Sequence, residues 1–192
     1  MRIGMLGKGN VGTHLGKGLS AAGHEVRYGH RDPAENVKAA AEFGDVIFFA
    51  VPHGASASVA KEIETFVGGK VIIDVTNPLG RFGPPLPCTT SAAEEIQKLL
   101  PKARVVKCFN YVFAKNMTTG EVVKERIAAF VAGDDKKAKA TAIQLAKEIG
   151  FDALDAGGLS NARYLEGMAM IIIELGYGQG LGPDIGFRVV RK

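Results

Sequence analysis

Arg2-Ile3-Gly4-Met5-Leu6-Gly7-Lys8-Gly9-Asn10-Val11-Gly12 is the stretch whose reading decides the fold. Residues 2–6 read as a short buried strand, and they run straight into a G-x-G-x-x-G turn. Leu15, Leu19 and Ala22 follow at helical spacing, and after Gly23 the run His24-Glu25-Val26-Arg27-Tyr28 reads as a second strand. Strand, glycine turn, helix and strand in this order form the context that makes the glycine motif a dinucleotide-binding fingerprint. Gly7 permits the tight turn, Gly9 lets the backbone approach a pyrophosphate, and Gly12 lets helix and sheet pack closely. Lys8, Asn10 and Val11 complete the loop. The pyrophosphate then meets a helix N-terminus, where unpaired N–H groups and the helix dipole favour negative charge.

The end of the second strand selects the cofactor. An NAD site places Asp or Glu there to accept from the ribose 2′-OH. This chain has Gly29-His30-Arg31. Arg31 can meet a 2′-phosphate with a planar, permanently charged fork, and His30 can add a donor or stack on adenine. Asp32-Pro33 reads as a turn toward the next helix. The expectation is NADP.

Working outward, Asp45-Val46-Ile47-Phe48-Phe49-Ala50-Val51 is nearly continuous in apolar residues, as in a central parallel strand covered on both faces. Ligands of doubly wound sheets sit beyond the carboxyl ends of strands, so Ala50, Val51, Pro52 and His53 are candidates to face ribose and nicotinamide. A loop with a solvated His53 is the structural alternative. Residues 70–75 form a fourth strand leading to Asn77-Pro78. The Asn77 amide suits a carboxamide or a ribose hydroxyl, though Asn-Pro is also a common turn opener. Asp74 reads as a structural carboxylate. Thr90-Ser91 with Glu94 resembles a capping box. Residues 104–109 are a fifth strand ending at Asn110-Tyr111, residues 127–132 a sixth, and residues 151–155 the last. Gly157-Gly158 leads into a final helix with Ser160 as its expected N-cap. The spacing Tyr111-x-x-x-Lys115 mimics the proton-transfer pair of short-chain dehydrogenases. The glycine spacing differs from theirs, however, and Lys98 stands where their Ser is required.

The architecture expected is α/β: one Rossmann-type, doubly wound, mostly parallel NADP-binding domain over 1–192, with 157–192 a short C-terminal helical extension completing a second-substrate pocket. A hydrophobic content of 46% with 23% charge is globular, and a net charge of +4 suits a ligand bearing several phosphates better than nucleic acid. Cys88 and Cys108 form no C-x-x-C pair and lie near no histidine cluster, so no metal site is expected. Met168 to Leu175 is too short to span a membrane, and no leader precedes the first strand, so a cytoplasmic setting without membrane is expected. The apolar run 168–173 exceeds the needs of one helix face, which points to a homodimer.

Several segments together resemble a known family: residues 7–12, Gly29-His30-Arg31, Asp74-Val75-Thr76-Asn77-Pro78-Leu79, Val106-Lys107-Cys108-Phe109-Asn110, and residues 155–163. They are similar to the NADP oxidoreductases dependent on coenzyme F-420 (F420), a deazaflavin, and to related NADPH reductases. The cytosolic domain of transmembrane ferric reductases is also similar. The resemblance implies that residues 7–12 hold the pyrophosphate, that His30 and Arg31 hold the 2′-phosphate, and that the loops after Val51, Asn77 and Phe109 flank the nicotinamide. It implies a pocket after Gly157 for the second ring-shaped cofactor, F420 or a flavin such as FMN. Tyr111, Gly157, Gly158 and Leu159 are the expected second-substrate residues. Thr76-Asn77-Pro78 and the proline-rich 82–87 segment depart from the best-known deazaflavin members.

Hydride transfer between two stacked rings asks for positioning, which can contribute roughly 7–11 kcal/mol, and for no catalytic side chain. A small carbonyl or imine reductase would need a proton donor, with His53 or Tyr111 the visible choices. A non-catalytic, redox-sensing NADP-binding module is the remaining alternative.

Overall fold

The apolar runs become strands in the computed structural model, which describes residues 1–30, 35–78 and 89–192. The strands are β1 (Arg2–Leu6), β2 (Glu25–Gly29), β3 (Val46–Phe49), β4 (Val71–Asp74), β5 (Arg104–Lys107), β6 (Glu121–Val122), β7 (Glu125–Arg126), β8 (Ala128–Gly133) and β9 (Asp152–Asp155). The helices are α1 (Asn10–Ala21), α2 (Val37–Phe43), α3 (Ser56–Ile63), α4 (Ala92–Leu99), α5 (Lys136–Ile149) and α6 (Ala162–Ile173). Among the described residues, one sheet runs in the order β2-β1-β3-β4-β5-β8-β9, and β6-β7 is a separate hairpin. The order reverses at β1, the hallmark of double winding.

Side-chain alternation sorts the strands onto two cores. Val46 and Phe48 of β3 join one cluster, with Leu15 and Leu19 of α1 and Leu145 and Ile149 of α5. Ile47 and Phe49 join the other, with Ala40 of α2, Ile63 of α3 and Ile96 of α4. Phe48, Phe109 and Phe151 form an aromatic chain with centroids 6.2 and 5.2 Å apart. All three rings are buried, each contributing about 1.5–3 kcal/mol by burial alone.

Helix ends follow local chemistry. Ser91 caps α4 as expected: its Oγ accepts from the Glu94 N–H and donates to the Glu94 carboxylate. Asn36 and Asp135 cap α2 and α5 in the same way. Ser160 does not cap α6. A 3-10 turn over Leu159–Asn161 intervenes, and Asp134 Oδ1 accepts from the Leu159 N–H instead.

β1 to β5 are mutually parallel, but β8 pairs antiparallel to β5, and β9 runs parallel to β8. The last two strands therefore deliver their carboxyl ends to the opposite rim, where Asp135 faces Arg104 at the start of β5. α6 climbs back from that rim. Its Leu165, Ala169 and Ile172 are buried, a helical stripe. The chain after α6 lies along the start of β8, where Phe187 O accepts from the Ala128 N–H and Pro183 O from the Asn116 side chain. Among the described residues, no helix is long and apolar enough to cross a membrane.

Candidate functional site

A cleft of about 1040 Å³ opens at the carboxyl ends of β1, β3 and β4, at the upper end of the roughly 300–1,000 Å³ usual for small-ligand sites. It begins at Gly7–Val11, passes His30, Asn36 and Val37 on one side, and continues along Ala50–His53 to Val75, Thr76 and Asn77. Ser58, Val59 and Glu62 of α3 close its outer wall. Sequence reasoning missed this α3 face and Thr76. The helix following Pro52-His53 was the available signal, because it had to start at the same rim.

The three motif glycines meet three different constraints. Gly7 adopts φ +112°, and a Cβ there would lie 2.3 Å from Ala50 O. A Cβ on Gly12 would meet Gly7 O, so Gly12 serves the packing of α1 beneath the loop. Among the described residues, a Cβ on Gly9 would meet nothing within 4 Å. That open space is the cradle a pyrophosphate requires, and any side chain at Gly9 would begin to fill it. Gly9 is the N-cap of α1 with no side-chain capping bond, and the first turn carries no acidic residue. The leading N–H groups of α1 are thus directed at the cleft mouth without a built-in anion.

At the β2 end, Lys8 Nζ and His30 Nε2 lie 2.8 and 2.7 Å from the same oxygen, Glu35 Oε2. These bonds, from Lys8 first and His30 second, hold the Glu35 carboxyl below the usual carboxylate range. Arg31 lies outside the described residues, as do Asp32, the 82–87 segment and Cys88.

The far end of the cleft is organised by two asparagines. Asn77 Nδ2 donates to Asn110 O at 2.6 Å, and Asn110 Nδ2 donates to Asn77 Oδ1 at 3.0 Å and to Leu165 O at 2.8 Å. Asn110 reaches this position because Phe109 turns the backbone with φ 65°, a left-handed conformation costing about 1–2 kcal/mol for a residue with a Cβ. Among the described residues, Asn110 Oδ1, Thr76 Oγ1 and His53 Nδ1 are buried without a hydrogen-bond partner. Buried polar atoms rarely stay unmatched, so these three suit a polar ligand at this end.

Beneath them lies a charged group that sequence reasoning did not single out. Asp74 and Lys107 are register partners on β4 and β5, and both are fully buried. Lys107 Nζ donates to Asp74 Oδ2 at 2.8 Å, Glu166 Oε1 at 2.8 Å and Thr76 O at 2.6 Å. Glu166 comes from α6 and also accepts from the Ala92 N–H at the start of α4. Burial pushes the Glu166 carboxyl up, while Lys107 pulls it back down. Asp74 has the structural role expected of it: Oδ1 accepts from the Thr76 N–H and Oδ2 from Lys107. A lysine inside the otherwise apolar run 105–109 was the signal to follow.

Of the residues expected at the site, Gly7 to Val11, His30, Ala50 to His53 and Asn77 line the cleft. Gly12 and Pro78 are buried behind it, and Asn110 joins through Asn77. The four second-substrate residues do not reach it. Tyr111 is buried in the core, its hydroxyl donating to Ala128 O and accepting from the Phe130 N–H, and burial pushes its pKa up. Leu159 is buried among Val105, Ala93 and Ile96. Gly157 and Gly158 sit at the opposite rim, where Gly157 takes φ +89° and accepts from the Gly133 N–H and from Lys139. For Gly157, Gly158 and Leu159 the reversed direction of β9 is the physical reason. Among the described residues no cluster of His, Cys, Asp and Glu could hold a metal.

Comparison with known proteins follows the same outline. The family model described as NADP oxidoreductase, coenzyme F420-dependent, matches residues 2–78. The F420-dependent NADP reductase of Methanothermobacter marburgensis is 31% identical over 209 residues, covering 91% of this chain and 92% of that protein. Metalloreductase STEAP3 of Rattus norvegicus is 29% identical over 187 residues, covering 90% of this chain. This chain spans 37% of that protein's length. A crystal structure from Arthrobacter sp. FB24, assigned by name to the F420-dependent NADP-reductases, superposes with a TM-score of 0.92 at 29% identity and full coverage of both chains.

Proposed function

Because the chain belongs to the family of coenzyme F420-dependent NADP oxidoreductases, we propose that it is an NADPH-dependent oxidoreductase passing hydride between the nicotinamide and a deazaflavin or flavin ring. The observation that carries this reading is the continuous cleft from the Gly9 cradle to the Asn77–Asn110 pair. The α1 N-terminus and the Gly7–Val11 backbone would hold the pyrophosphate, and Lys8 and His30 the 2′-phosphate. Val51, Pro52, His53 and Asn77 would flank the nicotinamide, with the unmatched Thr76 and Asn110 oxygens within the same end of the site. NADPH supplies the hydride from its nicotinamide ring. The chain's own task is to orient that ring and exclude water, as expected where the cofactors carry the chemistry.

F420 is the preferred second ring, because the relative covered over nearly its whole length is an F420-dependent NADP reductase. The second ring would enter beside Asn77 and Asn110, near the part of α6 that carries Leu165, and not at Gly157. Tyr164 and Ile171 are exposed along α6, which supports a homodimer as part of the same proposal. Light scattering behind a sizing column measures that directly.

The deciding assay follows NADPH oxidation and the bleaching of F420 under anaerobic conditions, with FMN and a cyclic imine as parallel acceptors and NADH as the control donor. F420 reduction driven by NADPH and much less by NADH is expected. Turnover of the imine alone would move the reading to an imine reductase. Tight NADPH binding with no turnover of any acceptor would move it to a binding module.

A further inference from the structure

Lys8 and His30 come from different elements, the glycine loop and the end of β2, yet both reach the same oxygen of Glu35. A point 2.7–2.8 Å from an ammonium and an imidazole nitrogen is where an anionic oxygen belongs. Both nitrogen-bearing side chains line the cleft, and the Glu35 backbone is fixed by its carbonyl accepting from the His30 N–H. The Glu35 side chain is 45% exposed and belongs to the short segment before α2, so it can swing outward without disturbing the core.

We infer that Glu35 is a specificity-determining residue whose carboxylate occupies the anion position between Lys8 and His30, so that a 2′-phosphorylated adenosine binds only by displacing it. The inference rests on the NADP reading above and adds a built-in competitor to it. Carboxylate and phosphate cannot share one position, and the displaced carboxylate stays within a few ångströms of the incoming phosphate. Glu35 therefore holds NADP(H) affinity below what Lys8 and His30 would otherwise give. An adenosine with a free 2′-OH brings no second anion and does not have to expel Glu35. The subsite is thus set to release NADP(H) more readily than its cations alone would imply.

The experiment is calorimetric titration of the whole chain with 2′,5′-ADP and with 5′-AMP, which differ only in the phosphate at issue. Wild type, Glu35→Gln, Glu35→Ala and Lys8→Met are compared, with circular dichroism as the check on folding. Glu35→Gln and Glu35→Ala should tighten 2′,5′-ADP by about 3–10-fold, the scale of one partly screened charge repulsion, and leave 5′-AMP within about twofold. Lys8→Met should weaken 2′,5′-ADP. Unchanged or weaker 2′,5′-ADP binding in both Glu35 variants, with wild type still preferring it to 5′-AMP, overturns the role of Glu35 and leaves the NADP reading standing. A wild type that does not distinguish the two nucleotides overturns both.

Discussion

Replacing Lys107 with Met removes the cation that pairs with both Asp74 and Glu166, and the consequence can be worked out. Lys107 donates to both carboxylates at 2.8 Å and to Thr76 O at 2.6 Å. Met fills much of the space of the lysine stem, so cavity formation is a small part of the change. The main effect is two carboxylates, 0% and 5% exposed, left facing one another. Removing one partner of a buried ion pair typically costs about 3–5 kcal/mol. For a chain of this size that is a fall in Tm of roughly 6–20 °C. The loss depends on pH with a definite sign. Burial already raises the Glu166 carboxyl and the Asp74 charge adds to it; without Lys107 it rises further. A group whose folded-state pKa is raised contributes stability at low pH and loses it as pH climbs through that value. Lys107→Met should therefore be more damaging at pH 8 than at pH 5, because falling pH favours the protonated form of Glu166. Thermal and urea melts at the two pH values measure this. Adding Glu166→Gln to the Lys107→Met background should recover part of the loss at pH 8. A deficit below about 1 kcal/mol, or one equal at both pH values, refutes the reasoning.

Three further outcomes are expected. Gly9→Val should weaken NADPH about 100-fold or more while leaving Tm nearly unchanged, because Gly9 has φ −77° and open space beside it; cofactor fluorescence and a melt read both quantities. The sequence pattern at the β2 end predicts that Arg31→Ala weakens NADPH by about 1–3 kcal/mol and barely alters NADH, and equal losses in paired titrations would count against it. Arg163 holds Glu94 through two bonds of 2.9 and 2.6 Å, linking α6 to α4 and keeping the Glu94 carboxyl low. Since a depressed carboxylate contributes stability above the usual carboxylate range and loses it as pH falls, Arg163→Ala should lower stability slightly at neutral pH and progressively less as the pH is brought down through the carboxylate range, as urea melts across that range would measure.

The first half of the fold was legible because its signals are local. The β1 to α1 turn needs glycine for steric reasons, the β3 run is apolar on both faces, and the Ser91 cap is visible in four residues. The second half misled because β8, α5 and β9 repeat the same strand-helix-strand rhythm while running the other way. Nothing in residues 127–155 records that reversal, which is fixed by pairing with β5. Gly157 therefore lies at the opposite rim and Leu159 in the core, while α6 returns toward the Asn77–Asn110 end a turn or two later, where Leu165 O accepts from Asn110 and Glu166 from Lys107. Tyr111 misled for a local reason, since the left-handed turn at Phe109 sends Asn110 to Asn77 and the next side chain into the core. The Lys107–Glu166 contact joins residues 59 positions apart, and no periodicity links them.

The inner face of α1 has a further consequence for how the chain is made. His14 and Gly18 are covered by the 3-10 segment Ala114–Thr118: His14 Nδ1 meets Thr118 Oγ1 at 3.0 Å, across 104 residues of chain. A ribosome adding about 5–20 residues per second delivers that cover roughly 5–20 s after α1 itself. Until then Leu15 and Leu19 belong to a helix whose fingerprint is complete but whose packing surface is only partly closed. The nucleotide loop and the element that stabilises its helix thus leave the ribosome at opposite ends of a long interval. Nascent chains arrested between residues 80 and 110 should be cut by protease within α1, and those extended beyond 118 and clear of the exit tunnel should resist.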